Sequence, residues 1–212
     1  VSDVVADLRA YYEEEAKQRR RPSQRENRIT LRNKFLALLR DESRETVADF
    51  GAGPGDDGSG FVEAGHRYVG LDLAHGNGVL AASAGITVVQ GSIAAPPFRS
   101  ASFDAGWSMS TLMHIPEQEV PAVLAAMVDV VRPGAPFLLA QWGAAAGEEP
   151  RDIIHQGDLA GQQRLFSLRT VDRNRELVSA VADIEQEDVW PVGEPGWAYH
   201  VFVLRVRHSE AP

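Results

Sequence analysis

The sequence predicts an α/β fold, a doubly wound and mostly parallel sheet with an antiparallel hairpin at its C-terminal end. Three observations predict it. Five short apolar runs, at residues 46–50, 68–73, 86–90, 103–109 and 137–142, alternate with helical or glycine-rich segments, as parallel strands covered on both faces do. A clear amphipathic helix lies between the fourth and fifth runs. Two long final runs flank the turn-rich Val192-Gly193-Glu194-Pro195-Gly196, which joins them as a hairpin.

Taken in order, Val5, Leu8, Tyr11 and Tyr12 recur at helical spacing and predict an amphipathic helix to about Lys17. Pro22 breaks that pattern. Ile29, Leu31, Phe35, Leu36, Leu38 and Leu39 then give a second helix an apolar face. Residues 1–40 therefore read as a helical lid and 41–212 as the main domain, the two forming one structural unit. The crossover at 74–84 is a short helix at most, because Gly76 and Gly78 fall where it should begin and each costs about 1 kcal/mol relative to Ala. In the helix at 117–131, Val120, Val123, Leu124, Met127, Val128 and Val131 follow the 3.6 period, with Pro116 suited to its start and Pro133-Gly134 to its stop. Residues 143–163 read as loop. Residues 170–182 read as a helix, and 184–190 with 197–206 as the closing hairpin.

Composition narrows the partners. The chain has 212 residues with 44% hydrophobic and 24% charged, ordinary usage for one globular domain with a sizeable core. No apolar run approaches the ~18 residues of a membrane span, and the charged first twenty residues do not resemble a secretory signal, so the expected location is the cytoplasm. With no cysteine and six scattered histidines, neither thiolate chemistry nor a metal site is expected. A net charge of −9 argues against nucleic acid as the main partner and favours a small molecule. Oligomeric state is not legible. Between Lys17 and Arg40 stand nine Lys/Arg and one acid, Glu26. Such a run either solvates a helix face or forms a basic lid over an anionic acceptor or cofactor carboxylate, and the Arg-rich part at 19–32 leaves an RNA acceptor open.

The chemistry is signalled after the first strand. In Asp49-Phe50-Gly51-Ala52-Gly53-Pro54-Gly55-Asp56-Asp57 the glycines permit a tight turn and close approach of backbone to a ligand. A dinucleotide site would carry its third glycine where Asp56 stands, and two carboxylates there oppose a pyrophosphate while suiting a helix dipole. Asp72 ends the second strand about twenty residues on, where a carboxylate accepts hydrogen bonds from ribose hydroxyls or else caps the following segment. Together these features select a nucleoside cofactor without a pyrophosphate.

These segments resemble class I S-adenosylmethionine-dependent methyltransferases, particularly the group containing the ubiquinone and menaquinone C-methyltransferases. Residues 47–55 are similar to their first motif, and Tyr68-Val69-Gly70-Leu71-Asp72-Leu73 to the second. Val89-Gln90-Gly91-Ser92-Ile93 with Pro97-Phe98 is similar to the third, Ser102–Ser110 through His114 to the fourth, and Val131-Arg132-Pro133-Gly134 to the turn before strand five. The resemblance spans about residues 46–142. It implies a Rossmann-like seven-stranded sheet of order 3-2-1-4-5-7-6 and S-adenosyl-L-methionine as cofactor. By the same resemblance Asp49, Gly51, Gly53 and Gly55 surround the methionine part, and Asp72 with Leu73 holds the ribose. Gly91, Ser92 and Ile93 flank the adenine, while Trp107, Ser108 and Met109 line the methyl-transfer end. Ser92 stands where many relatives carry Asp, and Ala135 where they often have glycine.

Methyl transfer is a displacement governed largely by positioning. Where the acceptor atom carries a proton, a base with a near-neutral pKa helps. His114, just past strand four, is the candidate base, with packing at a helix start as the alternative. Tyr11 is expected at the cofactor and Tyr12 at the acceptor, since a tyrosine on a closing helix can donate a hydrogen bond or set its ring against a sulfonium. Trp142 and His155 are further acceptor-side candidates. Arg164, Arg169 and Arg173, around Leu165-Phe166-Ser167-Leu168, are candidates to pair with an anionic acceptor, Arg169 foremost. The expected acceptor is a metabolite methylated at an O, N or C atom, with natural-product intermediates among the candidates. Rival readings are a non-catalytic adenosylmethionine-binding module and an NAD-dependent oxidoreductase, the latter lacking both its glycine spacing and a substrate domain.

Overall fold

The computed structural model describes residues 2–18, 26–156 and 163–207. The expected break at Pro22 and the arginines at 19–21 and 25 lie outside them. Two helices, α1 (Ser2–Gln18) and α2 (Glu26–Asp41), precede the sheet. Strand β1 (Thr46–Phe50) leads into α3 (Asp56–Glu63), β2 (Arg67–Asp72) into α4 (His75–Ser83), and β3 (Val88–Gln90) into β4 (Ala105–Met109). A 3-10 turn at 117–119 opens α5 (Val120–Asp129), followed by β5 (Pro136–Ala144), β6 (Arg151–Gln156), β7 (Gln163–Leu168), α6 (Val171–Ser179), β8 (Ala182–Pro191) and β9 (Trp197–Val206).

Seven strands form one sheet in the order β3-β2-β1-β4-β5-β9-β8. The first five are parallel, and β9 runs antiparallel to both β5 and β8. The doubly wound order and terminal hairpin are as expected. The separate antiparallel pair β6-β7 corrects the reading of 143–163 as loop. In Arg151-Asp152-Ile153-Ile154-His155-Gln156 the two apolar residues are adjacent, so neither period shows. What makes the segment a strand is its partner β7.

Both faces of the sheet are covered. Leu31, Phe35 and Leu39 of α2 and Phe61 of α3 pack with Val47, Trp107 and Leu138 on one side. Val123, Leu124 and Met127 of α5 and Leu177 and Val178 of α6 pack with Phe50, Phe137 and Phe202 on the other. At ~25 cal/mol per Å² of apolar surface, these two layers dominate stability. They also fix the carboxyl ends of the parallel strands, where a doubly wound sheet binds ligands.

The glycine at 76 has a packing reason. A Cβ there would lie 2.9 Å from the Ala16 Cβ and 3.0 Å from a Glu13 carboxylate oxygen, so its absence lets α1 cross the start of α4. Glu13 then accepts hydrogen bonds from the His75 and Gly76 amides at 2.6 and 2.8 Å. The helix dipole reinforces this cap.

Candidate functional site

A cavity of about 710 Å³ opens at the carboxyl ends of the strands, within the ~300–1,000 Å³ usual for small-molecule sites. Its two ends follow from the strand order. Gly51, Asp72, Leu73, Gly91, Ser92 and Ile93 line it beside β1, β2 and β3, whereas Trp142, Trp190, Trp197 and Tyr199 line it beside β5, β8 and β9. The helix α1 contributes Val4, Val5, Leu8, Tyr12 and Glu15 to the wall, and the β6-β7 hairpin contributes His155, Arg164 and Phe166.

The glycine loop is tight for a reason visible at Gly51. Its φ is +79°, and a Cβ there would lie 2.0 Å from the Thr111 hydroxyl. Asp72 pins the same loop: one carboxylate oxygen accepts the Gly53 amide at 2.7 Å, and the other accepts the Ala74 amide at 2.9 Å and the Asn77 side chain at 3.0 Å. Asp72 therefore caps the next segment and also lines the cavity. A carboxylate has roughly four lone-pair sites, so three bonds leave about one for a ligand hydroxyl.

Several expected cofactor contacts lie elsewhere. Asp49 is buried at 2% exposure and absent from the cavity wall, accepting instead the Tyr68 hydroxyl at 2.6 Å. Burial, and next the nearby Asp57 carboxylate, push its pKa up to about 7. Trp107 is fully buried between Phe35 and Phe61 and donates its indole N–H to Asp57 at 3.0 Å. Strand alternation turns that ring onto the α2-α3 face. Ser108 bonds the Phe50 carbonyl at 2.9 Å, and Met109 alone of the three reaches the wall. Gly53 and Gly55 shape the loop from behind. Tyr11 is buried beneath the Arg164 guanidinium, 4.0 Å from its ring centroid.

The acids after the loop also divide. Asp56 lines the cavity, but Asp57 is fully buried and paired with Arg28 at 2.6 Å and Arg32 at 3.2 Å. Only Asp56 thus opposes a pyrophosphate from the wall, which weakens half of the electrostatic argument read from the sequence. The same pairs show what part of the basic run does. Arg28 and Arg32 turn inward and fasten α2 to the first turn of α3, and Arg28 also meets the cavity.

His114 reaches the wall, but its chemistry differs from the expectation. Its Nδ1 lies 2.7 Å from the Leu165 carbonyl and its Nε2 2.9 Å from the Tyr12 hydroxyl. A carbonyl only accepts, so Nδ1 carries the proton and Nε2 accepts from Tyr12. Burial, opposed by that backbone bond and aided by the Arg164 charge, brings the pKa down to about 4. This corrects the expectation of a near-neutral base. The ring is neutral at pH 7, is a weak proton acceptor, and holds the Tyr12 hydroxyl in place.

Of the acceptor-side candidates, Tyr12, Trp142 and His155 line the cavity. Arg169 does not. It is 2% exposed, and its guanidinium bonds Glu117 and the carbonyls of Leu112 and Ile115, bracing the segment that carries His114. Arg173 pairs with Glu117 and Glu176 at the surface. Of the three arginines near the Leu-Phe-Ser-Leu segment, Arg164 faces the cavity.

Trp190, Trp197, Tyr199, Ser110 and Glu119 also line the site and were not expected there. Position 199 pairs with 142 and with 190, so three aromatic residues stand in one row across β5, β9 and β8. The alternation of Trp197 and Tyr199 was a period-2 signal for that face. Ser110, at φ 58°, is a strained position for a non-glycine residue. Its hydroxyl lies 2.9 Å from that of Tyr199. Glu119 keeps one buried carboxylate oxygen without a partner among the described residues.

Comparison with known proteins adds four likenesses. Residues 47–134 match the family described as a methyltransferase domain. The whole fold is similar to Burkholderia thailandensis 1,6-didemethyltoxoflavin-N1-methyltransferase, solved with 1,6-didemethyltoxoflavin and S-adenosylhomocysteine, with a TM-score of 0.77 at 22% identity over 98% of this chain and 90% of that one. DhpI in complex with S-adenosylhomocysteine gives 0.66 at 17% identity over 98% of each chain. The [4+2]-cyclase SpnF gives 0.64 at 11% identity, covering 82% of this chain and 81% of that one. At such identities the structural likeness is one of fold, and the fold hosts a cyclase as well as methyltransferases.

Proposed function

From the methyltransferase domain that residues 47–134 carry, we infer that this chain is a class I S-adenosylmethionine-dependent methyltransferase acting on a small-molecule acceptor. The observation that carries the reading is the cavity wall around Asp72, where a nearly saturated buried carboxylate keeps about one acceptor site beside a turn whose alternate residues, Gly51, Gly53 and Gly55, carry no Cβ. That pairing fits an adenosine better than a phosphate-rich nucleotide. S-adenosyl-L-methionine, the cofactor, supplies a methyl group on a positively charged sulfur.

The chain's own residues do the rest. Asp72 and Leu73 hold the ribose, and Gly91, Ser92 and Ile93 flank the base beside β3. Gly51 leaves room for the methionine part, with Asp56 and Arg28 available to its ammonium and carboxylate. Met109, Ser110 and Tyr12 lie on the wall between the cofactor end and the aromatic end, where the methyl group passes. Tyr12, set by His114, presents its oxygen lone pairs to whatever lies there. The closure by α1 excludes water, which strengthens every charge interaction inside. A small molecule as acceptor fits the enclosed cavity and agrees with the acceptor bound by the Burkholderia protein. No described helix is long and apolar enough to cross a membrane.

The reading is tested by calorimetry with S-adenosylmethionine, S-adenosylhomocysteine and NAD. Micromolar binding of the first two and none of NAD is expected. Asp72→Ala should weaken adenosylhomocysteine at least tenfold, provided circular dichroism shows a native fold. Equal affinity in a folded variant removes Asp72 from the ribose. NAD binding in preference to adenosylmethionine overturns the inference as a whole.

A further inference from the structure

Three of the four tryptophans in the chain meet one end of the cavity. Trp142, Trp190 and Trp197 are half-buried and line the cavity. Trp142 stands nearly perpendicular to both Trp197 and Tyr199, at 81° with centroids 5.6 Å apart in each case. Trp197 also meets Phe166 at 5.5 Å. Rings crossed in this way make a corner on the cavity wall, an arrangement against which another flat ring packs well. They come from β5, β7 and β9, so the corner is rigid.

Among the described residues, Arg164 brings a cation to the rings beside this corner. The Arg164 guanidinium lies 4.0 Å from the Tyr11 centroid and 5.2 Å from that of Phe166. Its side chain makes no hydrogen bond or ion pair with any described residue, and its Nε is buried without a partner. A buried unpaired donor is costly, and here it borders a cavity. Arg164 also lies close enough to His114 to act on it electrostatically, which places the charge near Tyr12, on the methyl-transfer side. A cationic acceptor would meet a positive charge already seated on the aromatic faces.

We propose that this end of the cavity binds a flat aromatic acceptor as its anion, the ring against Trp142 and Trp197 and the negative charge toward Arg164. The proposal rests on the methyltransferase reading and deepens it. The acceptor loses its N–H or O–H proton to solvent before it binds. Its lone pair then forms the new bond to the methyl carbon, while the electrons of the carbon–sulfur bond return to sulfur and leave a neutral thioether. An acceptor that arrives ionised needs no strong base, in keeping with a neutral His114 that only positions Tyr12.

The test is calorimetric, on the whole chain, with three probes that separate charge from shape: 2-naphthoate, 2-naphthylmethylammonium and cyclohexanecarboxylate, each with and without S-adenosylhomocysteine. Naphthoate is expected to bind at least tenfold more tightly than either of the others. Arg164→Met should abolish the preference for the anion over the cation, and Arg164→Lys should keep it in part. Equal binding of the naphthyl cation, equal binding of the non-planar acid, or an unchanged preference in a folded Arg164→Met overturns the proposal. If Arg164→Met fails to fold, the order of the three probes on the native chain and on Arg164→Lys decides. Failure to bind adenosylhomocysteine counts against the methyltransferase reading alone, since the comparison of probes does not require it.

Discussion

Replacing Asp49 with Asn changes the pH dependence of stability by an amount the structure sets. In the fold, burial and the neighbouring Asp57 raise the Asp49 pKa from 3.8 to about 7. The folded chain therefore holds a proton that the unfolded chain releases between those values. Stability contributed by the protonated form is fully present below pH 3.8 and is lost as pH rises through 7, by about 1.4 kcal/mol per pH unit. Asn cannot ionise, and its amide oxygen still accepts the Tyr68 hydroxyl. Asp49→Asn should thus gain on the native chain by roughly 2–3 kcal/mol between pH 5 and pH 8, from two pH units of avoided ionisation. Urea unfolding at pH 5, 6, 7 and 8 measures the difference directly. Other titrating groups, His114 among them, cancel because both proteins carry them. A difference that stays level across the series would show that Asp49 is ionised in the fold, and the buried, protonated carboxyl would have to be abandoned.

His114 gives the opposite slope. Its folded pKa near 4 lies below the usual 6.5, so its stability is present above pH 6.5 and is lost as pH falls toward 4, by about 3 kcal/mol in all. His114→Gln should flatten acid unfolding across that window, and an unchanged acid limb would mean the ring is charged in the fold. Gly51→Ala should cost at least about 2 kcal/mol, since a left-handed backbone and a clash with Thr111 coincide; a melting temperature within 2 °C (a shift of roughly 1 kcal/mol or less) would contradict the loop geometry. Arg169→Ala should lose about 2–4 kcal/mol by leaving two buried carbonyls without a donor and Glu117 with Arg173 as its remaining partner, whereas Arg173→Ala should stay within about 0.5 kcal/mol. Equal losses in chemical unfolding would refute the distinction between brace and surface pair.

The central fold was legible because its signals are local. Apolar runs, the 3.6 period from Val120 to Met127 and the turn at 192–196 each fix an element from neighbouring residues alone. Strands β6 and β7 were not, because Ile153 and Ile154 are adjacent and strandedness there comes from pairing across the hairpin. Within the site, the tight glycine turn and the position of Asp72 at the cavity wall were legible from spacing. Asp49 and Trp107 were misplaced because a motif gives position along a strand but not which face a buried side chain meets. The weak basicity of His114 was hidden for a similar reason, as burial is a property of the assembled cavity and not of the residue. Arg164 stood beside Arg169 in sequence with nothing to separate them. The turn from β7 toward α6 sends one into the cavity and the other behind it.

The helix α1 touches both ends of the site, capping α4 through Glu13 on the nucleoside side and meeting β7 on the aromatic side. One helix then roofs two compartments. The bonds that tie this roof down, from His75 and Gly76 to Glu13 and from Tyr12 to His114, belong to the two compartments separately, so a molecule that disturbs one set bears on the other through the same helix.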